Sequence, residues 1–342
     1  MDKSGKKGLL LMNLGSPNSP SVKDVKTYLR EFLMDEKVID IPYIARTLLV
    51  KGIIVPFRSP KSAHAYQSIW TKAGSPLLVN TYLLQDALDQ IVPEAIETCM
   101  RYGNPHPKKA FDNLQKRVEG LEEVILFPLY PHFAMSSYET AVAYAQKIHA
   151  ENKYPFKLTV VPPYYENPIY INALAQSIQP FLNNNFDKLI LSYHGIPERH
   201  VKKSDPTCTH CLQVKDCCNV TSNAHAFCYR HQTFVTTQKL TDALKIEKTK
   251  VEQSFQSRLG QDKWLTPYTA ARLKELPSEG VKKLLIACPA FVSDCLETLE
   301  EIAEEGKEIF LAAGGEQFTM IPCLNAQDAW VKAVDQLINP YR

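Results

Sequence analysis

Five of the nine cysteines lie in one short stretch of the sequence, and three histidines lie among or beside them. A CxxC pair fixes two thiolates on one turn, and later cysteines can complete a four-ligand site. The pattern predicts a zinc ion or an iron–sulfur cluster, with Cys217 or Cys218 as the spare, because adjacent residues rarely both reach one centre. An odd, unevenly spread set of cysteines disfavours a disulfide framework. The stretch contains Cys208, His210, Cys211, Cys217, Cys218, His225, Cys228 and His231.

A second candidate for chemistry is His194, in the segment KLILSYHGIPERH. It follows an apolar run at 188–193, and open α/β sheets place their ligand-binding residues just past the carboxyl ends of strands. A neutral imidazole there can accept a proton or bind a metal. The alternative interpretation is a histidine that only satisfies a strand-end carbonyl.

Two carboxylates form the third candidate. Glu297 and Glu301 follow another apolar run, at 282–288, and their spacing of four places both on one face of a helix. The alternative interpretation is structural: Asp294 would be the N-cap and Glu297 its capping-box partner, with Glu301 an ordinary solvated acid.

The elements that position these residues follow from the hydrophobic pattern. Strands that are apolar throughout and alternate with helices predict parallel sheets covered on both faces, in a doubly wound α/β architecture. We expect an N-terminal lobe at 1–154, to which we assign the C-terminal segment 325–342, and a second lobe at 155–324 that carries an insertion at 207–228. The predicted strands are 8–14, 123–127, 157–161, 188–193, 282–288 and 308–312, and the predicted helices are 20–35, 80–92, 137–151, 296–306 and 325–338.

Length and charge limit the function classes. A chain of 342 residues with a formal charge of +2 and no long run of either sign has no electrostatic footprint for nucleic acid. The turn MNLGSPNSP lacks the GxGxxG spacing of dinucleotide enzymes. The opening segment lacks a small-residue cleavage site, and other apolar runs are interrupted by Lys51 or Pro289. We therefore expect a cytoplasmic protein.

One apolar and aromatic stretch, VIDIPYIARTLLVKGIIVPFRSP, carries interspersed Arg46, Lys51 and Arg58. It fits a lip for a large flat apolar ligand or a surface that touches a membrane. It fits two core-packed helices equally well.

Six segments, in this order along nearly the whole chain, resemble the ferrochelatase family. The SYHG and SDxLET elements are the most specific, because they lie at the ends of two strands in the second lobe. The segments are LLMNLGSP at 10–17, SPKSAHAYQSIWTKAGSPL at 59–77, MRYGNP at 100–105, LFPLYPHFAMSS at 126–137, LSYHGIPERH at 191–200 and CPAFVSDCLETLEEI at 288–302.

The resemblance implies two similar Rossmann-like lobes that enclose a porphyrin cleft, and insertion of Fe²⁺ with release of two protons to form haem. Protoporphyrin IX is favoured over coproporphyrin III. His194 and Glu297 would face one another at the porphyrin centre as base and metal ligands, with Glu301 one helical turn away; which carboxylate binds iron stays open. The implied substrate-binding residues are Met12, Arg58, Tyr66, Ser75, Arg101 and Tyr102, with 34–57 as an apolar lip and a peripheral membrane contact.

Two departures from the family pattern matter. Some members carry a histidine where this chain has Cys295, so an imidazole role does not carry over to it. The insertion at 207–228 resembles that of a bacterial variant which holds a two-iron two-sulfur cluster. By that resemblance the cluster ligands are Cys208, Cys211, Cys218 and Cys228, with Cys217 as an alternative and zinc as the competing occupant.

Two other function classes are compatible with the chain. One is a related chelatase that acts on another tetrapyrrole or metal, and the full-length match argues against it. The other is a non-catalytic porphyrin or haem carrier, and the retained His194 and Glu297 argue against that. The sequence makes no prediction of oligomeric state.

Overall fold

The computed structural model describes residues 6–182, 185–258, 260 and 262–342, so the first five residues of the opening segment lie outside the described part. Parallel strands and helices alternate along it, as the hydrophobic pattern predicts. The strands are β1 (Lys7–Ser16), β2 (Ala95–Gly103), β3 (Glu123–Pro128), β4 (Lys157–Val160), β5 (Lys188–His194), β6 (Val251–Gln256), β7 (Lys283–Ala287) and β8 (Gln317–Met320).

Helices separate the strands, and three π-helical segments interrupt or extend them. The π-helical segments are Leu48–Ile54, Met135–Glu139 and Leu299–Gly306. The α-helices are α1 (Val22–Leu33), α2 (Tyr43–Thr47), α3 (Val55–Ile69), α4 (Pro76–Asp89), α5 (Pro107–Arg117), α6 (Thr140–Glu151), α7 (Pro168–Leu182), α8 (Glu198–Lys203), α9 (Tyr229–Leu244), α10 (Thr269–Glu275), α11 (Leu296–Thr298), α12 (Lys307–Ala312) and α13 (Asp328–Ile338).

The chain divides into two compact units. The first contains the residues up to Leu129 together with Met135–Pro162 and Ala326–Arg342. The second contains Tyr130–Ala134 and Pro163–Asn325. The helix α13 thus packs within the first unit.

The first unit is built on a four-stranded parallel sheet in the order β2-β1-β3-β4. Its central strand β1 pairs with β2 from Gly8 to Ser16 and with β3 from Lys7 to Met12. Leu9, Leu10 and Leu11 are fully buried there, because helices cover both faces of a parallel sheet.

The second unit repeats this arrangement with the order β6-β5-β7-β8, again parallel throughout. The central strand β5 is apolar up to Leu191 and ends at His194, where it pairs with Gln256 of β6. The buried core of this unit includes Ile190, Leu284, Ile286 and Phe310. The predicted α/β class with two similar lobes is confirmed.

One predicted strand is wrong. Residues 308–312 belong to α12, which continues the π-helical segment instead of pairing with the sheet. A five-residue apolar run fits a buried helix as well as a strand, and here Phe310 packs into the core from a helix. The edge strand of this sheet is β8, which follows α12 and begins at Gln317.

The segment from Tyr43 to Ile69 forms α2, a π-helical turn and α3. It carries large apolar side chains that stand in solvent, while Val50 and Val55 are buried. No helix in the described ranges has the length and apolar character needed to cross a membrane. The exposed apolar side chains are Tyr43, Ile44, Leu48, Ile53 and Phe57.

Candidate functional site

His194 lies at the carboxyl end of β5, where its tautomer is fixed by a neighbouring carbonyl. Its Nδ1 atom lies 2.6 Å from the carbonyl oxygen of Gly195. A carbonyl oxygen only accepts, so Nδ1 carries the proton and Nε2 keeps its lone pair. The alternative interpretation, a histidine that only satisfies a strand-end carbonyl, therefore applies to Nδ1 alone. Nε2 remains suited to accept a proton or bind a metal.

The helix that carries Glu297 begins at Leu296, as predicted, one residue after the start that an Asp294 N-cap would give. Its N-cap is Cys295, and the capping-box partner is Thr298, whose Oγ1 accepts the Cys295 N–H at 3.0 Å. The predicted N-cap, Asp294, instead accepts hydrogen bonds from Thr298 Oγ1 and from Asn325 Nδ2, at 3.0 and 2.7 Å. The capping-box interpretation of Glu297 is therefore wrong, because Thr298 takes that role.

Glu301 lies in the π-helical segment that follows and is held by the end of β6. The backbone N–H of Ser257 donates to Glu301 Oε1 at 2.6 Å, and Ser257 Oγ donates to Oε2 at 2.5 Å. Next to it, Gln256 Nε2 donates to the main-chain carbonyl of Glu297 at 2.6 Å. The end of β6 thus fixes both the helix and one of its carboxylates, so Glu301 is not a solvated acid.

Contacts at the end of β6 connect the three predicted residues, because Gln256 pairs with His194 and bonds the Glu297 carbonyl while Ser257 bonds Glu301. Burial raises the pKa of Glu301 above its ordinary value, and the nearby Glu297 carboxylate raises it further. The hydrogen bonds from Ser257 and the neighbouring His194 imidazole oppose that shift. A basic nitrogen and two carboxylates, one of them with a raised proton affinity, can accept protons and attract a cation.

Three residues at this site escaped the sequence reasoning. Gln256 ends β6 and Ser257 follows it, and β6 is too polar to appear as an apolar run. Tyr229 lies in α9, and its hydroxyl donates to the His194 carbonyl at 2.9 Å. A fourth, Gly195, leaves space for this turn: a Cβ on it would lie 2.9 Å from the carbonyl oxygens of both Gln256 and Ser257. A glycine directly after a strand-end histidine was the available signal.

Two of the predicted substrate-binding residues lie in a buried polar network of the first unit. Arg101 Nη2 and the Tyr102 hydroxyl donate to Asp35 Oδ2 at 2.5 and 2.7 Å, and Thr140 Oγ1 donates to the same oxygen at 2.5 Å. The Arg101 guanidinium also lies 4.3 Å from the ring centres of Tyr102 and Tyr144. Both predicted residues thus have strong internal partners, and their contact with a substrate stays a prediction.

The other four predicted substrate-binding residues differ in exposure. Met12 is fully buried in β1, and Tyr66 is buried with its ring edge-on to Tyr28 and Trp70. Ser75 is a buried N-cap residue of α4, whereas Arg58 is exposed on α3. Their roles also stay predictions.

The cysteine-rich insertion gathers four buried thiols, which we call the thiol quartet: Cys211, Cys217, Cys218 and Cys228. Within it, Cys228 forms side-chain hydrogen bonds with Cys211 and with Cys218, and Cys218 forms another with Cys217. Cys208, one of the four predicted ligands, is exposed. Cys217 and Cys218 are thus both in the group of buried thiols and Cys208 is not, while the identity of the metal ligands stays a prediction.

Nitrogen donors surround the sulfur atoms of the thiol quartet. The N–H of Leu212 points at Cys217 Sγ (3.3 Å), and the N–H of His231 points at Cys228 Sγ (3.4 Å). Arg230 Nη1 lies 3.1 Å from Cys218 Sγ and 3.8 Å from Cys217 Sγ. Such donors stabilise thiolate, the form that binds metal.

The histidines of the insertion bind main-chain carbonyls. His210 and His225 each place Nε2 within 3.0 Å of the Cys217 carbonyl oxygen, and His231 Nδ1 lies 2.8 Å from that of Cys218. The rings of His225 and His231 stack at 3.6 Å. These imidazoles hold the backbone of Cys217 and Cys218 in place.

The donor set of the thiol quartet suits a cluster. Hydrogen bonding to Cys211, with burial, raises the pKa of Cys228 to about 12, so a metal must displace protons to bind. In the described part of the chain, no three His, Cys, Asp or Glu side chains are arranged to hold one metal ion. A two-iron cluster takes four thiolates, and the thiol quartet supplies that number of sulfur atoms.

The fold is that of a known class of proteins. SirB from Bacillus subtilis, solved with Fe³⁺, superposes with a TM-score of 0.56 over 98% of this chain and 97% of its own, at 10% identity. A second structure, the sirohydrochlorin chelatase SirB of Bacillus subtilis subspecies spizizenii in complex with cobalt, gives 0.53 at 10% identity. The architecture is therefore that of the chelatases.

The sequence comparisons are more specific. The family model described as Ferrochelatase matches residues 6–341. The ferrochelatase of Pseudomonas entomophila is 48% identical over 95% of this chain and 96% of its own length, and that of Pseudomonas aeruginosa is 45% identical over 96% of both. The chain belongs to the ferrochelatase family.

Proposed function

We propose that this protein is a ferrochelatase, a lyase that inserts Fe²⁺ into a porphyrin and releases two protons, with protoporphyrin IX as the favoured substrate. The observation that carries the proposal is the set of contacts at the end of β6, which pairs with His194 and bonds the helical segment that carries Glu297 and Glu301. Family membership and this donor set support one another. Sirohydrochlorin is the tetrapyrrole printed for a SirB structure that is only 10% identical to this chain.

The residue types suit the chemistry. Two pyrrole N–H bonds must break as Fe²⁺ binds the four ring nitrogens, so the site has to accept two protons per turnover. In our proposal His194 Nε2 takes a proton from the ring, since its lone pair is free of the Gly195 carbonyl. Glu297 offers oxygen to the iron, and Glu301, with its raised pKa, passes protons outward.

The test is anaerobic porphyrin consumption with Fe²⁺, with protoporphyrin IX and coproporphyrin III offered separately. We expect His194→Ala to lose roughly a hundredfold or more in kcat, the size of general base catalysis. His64→Ala, at an exposed histidine of the first unit, is the matched control and should keep full activity. Equal rates for His194→Ala and wild type would reject the assigned base, and faster turnover of coproporphyrin would reject the favoured substrate.

We further propose that the thiol quartet holds a two-iron two-sulfur cluster. When bound, the cluster supplies a redox-active or structural centre to the insertion. Four buried adjacent thiols with N–H donors to sulfur support this proposal, and they favour Cys217 over Cys208 as the fourth ligand.

Two substitutions test the ligand set. Cys217→Ser should abolish the visible absorption and the acid-labile sulfide of the purified protein, whereas Cys208→Ser should leave both intact. The reverse result would restore the ligand set expected from the resemblance. A colourless protein that contains one zinc per chain would replace the cluster with a zinc site.

The exposed apolar side chains of α2, the following π-helical turn and α3 support a contact with the porphyrin or with a membrane surface. We propose a peripheral contact in which these side chains enter an apolar phase while Lys51 stays in water. Sedimentation with anionic vesicles should carry the wild type down and leave an Ile44→Ser, Phe57→Ser double variant in solution. If both stay in solution but the variant has a raised KM for porphyrin, the surface serves the substrate alone.

A further inference from the structure

Ser257 is the residue through which the end of β6 reaches Glu301. Its backbone N–H and its hydroxyl donate to different oxygens of the same carboxylate, at 2.6 and 2.5 Å. Two donors from one residue to two oxygens define the plane of the carboxylate as well as its position. A single hydrogen bond would leave the group free to rotate.

The backbone at Ser257 is adapted to this contact. Its φ is +60°, in the left-handed region that residues with a Cβ seldom adopt. The same turn approaches Gly195 so closely that a Cβ there would lie 2.9 Å from the Ser257 carbonyl oxygen. A strained residue beside a close backbone approach is expected where the conformation serves a site.

The contact decides how Glu301 can take part in the reaction. Each of its oxygens accepts one hydrogen bond from Ser257 and keeps a second lone pair. A neutral carboxyl accepts hydrogen bonds more weakly than a carboxylate, so the two donors of Ser257 favour the charged form, whereas burial favours the protonated form. Ser257 therefore has a direct share in the proton affinity of Glu301.

We infer that Ser257 is a positioning residue that holds the Glu301 carboxylate in the orientation needed to relay protons from the metal-insertion site. This inference rests on the proposed role of Glu301. It assigns Ser257 no contact with porphyrin or iron.

Two substitutions separate positioning from backbone strain. Ser257→Gly removes the hydroxyl and suits φ +60°, whereas Ser257→Ala removes the hydroxyl and keeps the strain. We expect both variants to lose kcat equally, by roughly tenfold to a hundredfold, with KM for porphyrin unchanged. Ser257→Gly should melt no lower than Ser257→Ala. Activity that follows the melting temperature, with Ser257→Gly near wild type, would overturn the inference.

A double-mutant cycle with Glu301→Gln shows whether the serine acts through the carboxylate. In the Glu301→Gln background, Ser257→Gly should cause no further loss of kcat. Two losses that multiply would overturn the inference, because Ser257 would then act independently. If Glu301→Gln alone metallates as fast as wild type, the proposed role of Glu301 fails. If Glu301→Gln is impaired but Ser257→Gly is fully active, the role of Glu301 stands and only the inference about Ser257 fails.

Discussion

At the scale of single residues, the position of one proton or one charge determines whether a nitrogen or sulfur atom can accept a proton or bind a metal. The Gly195 carbonyl accepts a hydrogen bond from His194 Nδ1, so in the neutral ring Nε2 is the nitrogen with the free lone pair. Arg230, in α9 just after the insertion, has a comparable influence on the sulfur of Cys218. Its guanidinium lies over the ring of Phe234 at 4.8 Å and donates to Cys218 Sγ at 3.1 Å.

We predict that Arg230 tunes the proposed cluster. A positive charge and an N–H donor at the sulfur stabilise the reduced, more negative state, so Arg230→Gln should shift the midpoint potential in the negative direction. Arg230→Lys keeps the charge and should shift it less. Spectroelectrochemical titration measures the potential.

The control for this prediction is Lys215→Gln, which makes the same charge change at an exposed position of the same insertion. It should leave the potential close to that of the wild type. Equal shifts for Arg230→Gln and Lys215→Gln would mean that overall charge, not contact with the sulfur, sets the potential.

At the scale of elements, one buried carboxylate organises the start of the cysteine-rich insertion. Asp205 Oδ2 accepts the backbone N–H groups of His210 and Cys211 at 2.9 and 2.8 Å, and Oδ1 accepts the N–H and hydroxyl of Thr207. Against the effect of burial, the hydrogen bonds from Cys211, Thr207 and His210 hold the pKa of Asp205 well below its usual range. The turn therefore depends on an ionised Asp205.

We predict that Asp205→Ala releases this turn. The backbone amides of His210 and Cys211 should exchange with deuterium at least tenfold faster, because local opening replaces hydrogen bonds to a charged group. Mass spectrometry of peptides from 206–219 measures the exchange, with or without a bound cluster. Asp216→Ala, at an exposed acid that bonds Asn219, is the control, and equal protection in both variants would contradict the prediction.

The hydrophobic pattern revealed the central strands and missed several at the edges. β1, β3, β5 and β7 are buried on both faces and appear as apolar runs. β2 and β6 lie at sheet edges and carry Glu97, Arg101, Glu252 and Gln253, so no apolar run marked them. Because Ser257 directly follows β6, which no apolar run marked, the site could be predicted only in part.

The chemistry of the insertion shows a similar division. Spacing alone indicated four sulfur ligands and a spare. Which cysteine is spare depends on the path of a loop with several left-handed residues, among them Cys208, Leu212 and Asp216. Sequence pattern holds little information on such turns, so the choice between Cys208 and Cys217 as a ligand stays a prediction.

At the scale of the whole molecule, stability depends on a histidine that folding keeps neutral. His132 in the second unit is buried among Tyr165, Tyr193 and Tyr229. Its Nε2 bonds Thr236 Oγ1 at 2.9 Å, while within the described chain its Nδ1 has no hydrogen-bond partner. Burial lowers the pKa of His132 to about 3.

This histidine predicts acid sensitivity. Between pH 6.5 and 3 the unfolded chain binds a proton at His132 and the folded protein does not. The free energy of unfolding therefore falls as the pH falls through that window, by up to about 1.4 kcal/mol per pH unit from this group. Urea unfolding at pH 7, 6 and 5 measures the slope.

His132→Phe keeps the aromatic shape and should flatten the slope, whatever its stability at pH 7. The same substitution at exposed His64 is the control and should retain the slope of the wild type. An unchanged slope in His132→Phe would show that other groups cause the acid sensitivity.

The two sheet orders, β2-β1-β3-β4 and β6-β5-β7-β8, share one more detail. A Gly-x-Pro sequence lies at the end of β1, from Gly15, and directly after β5, from Gly195. An added Cβ on either glycine would strike a carbonyl of the neighbouring edge strand, that of Tyr102 in β2 or Gln256 in β6. Immediately before these glycines stand Leu14 in one half and His194 in the other. Because both halves belong to one chain, the residue before the glycine can differ between them, and only the second half carries an imidazole at that position.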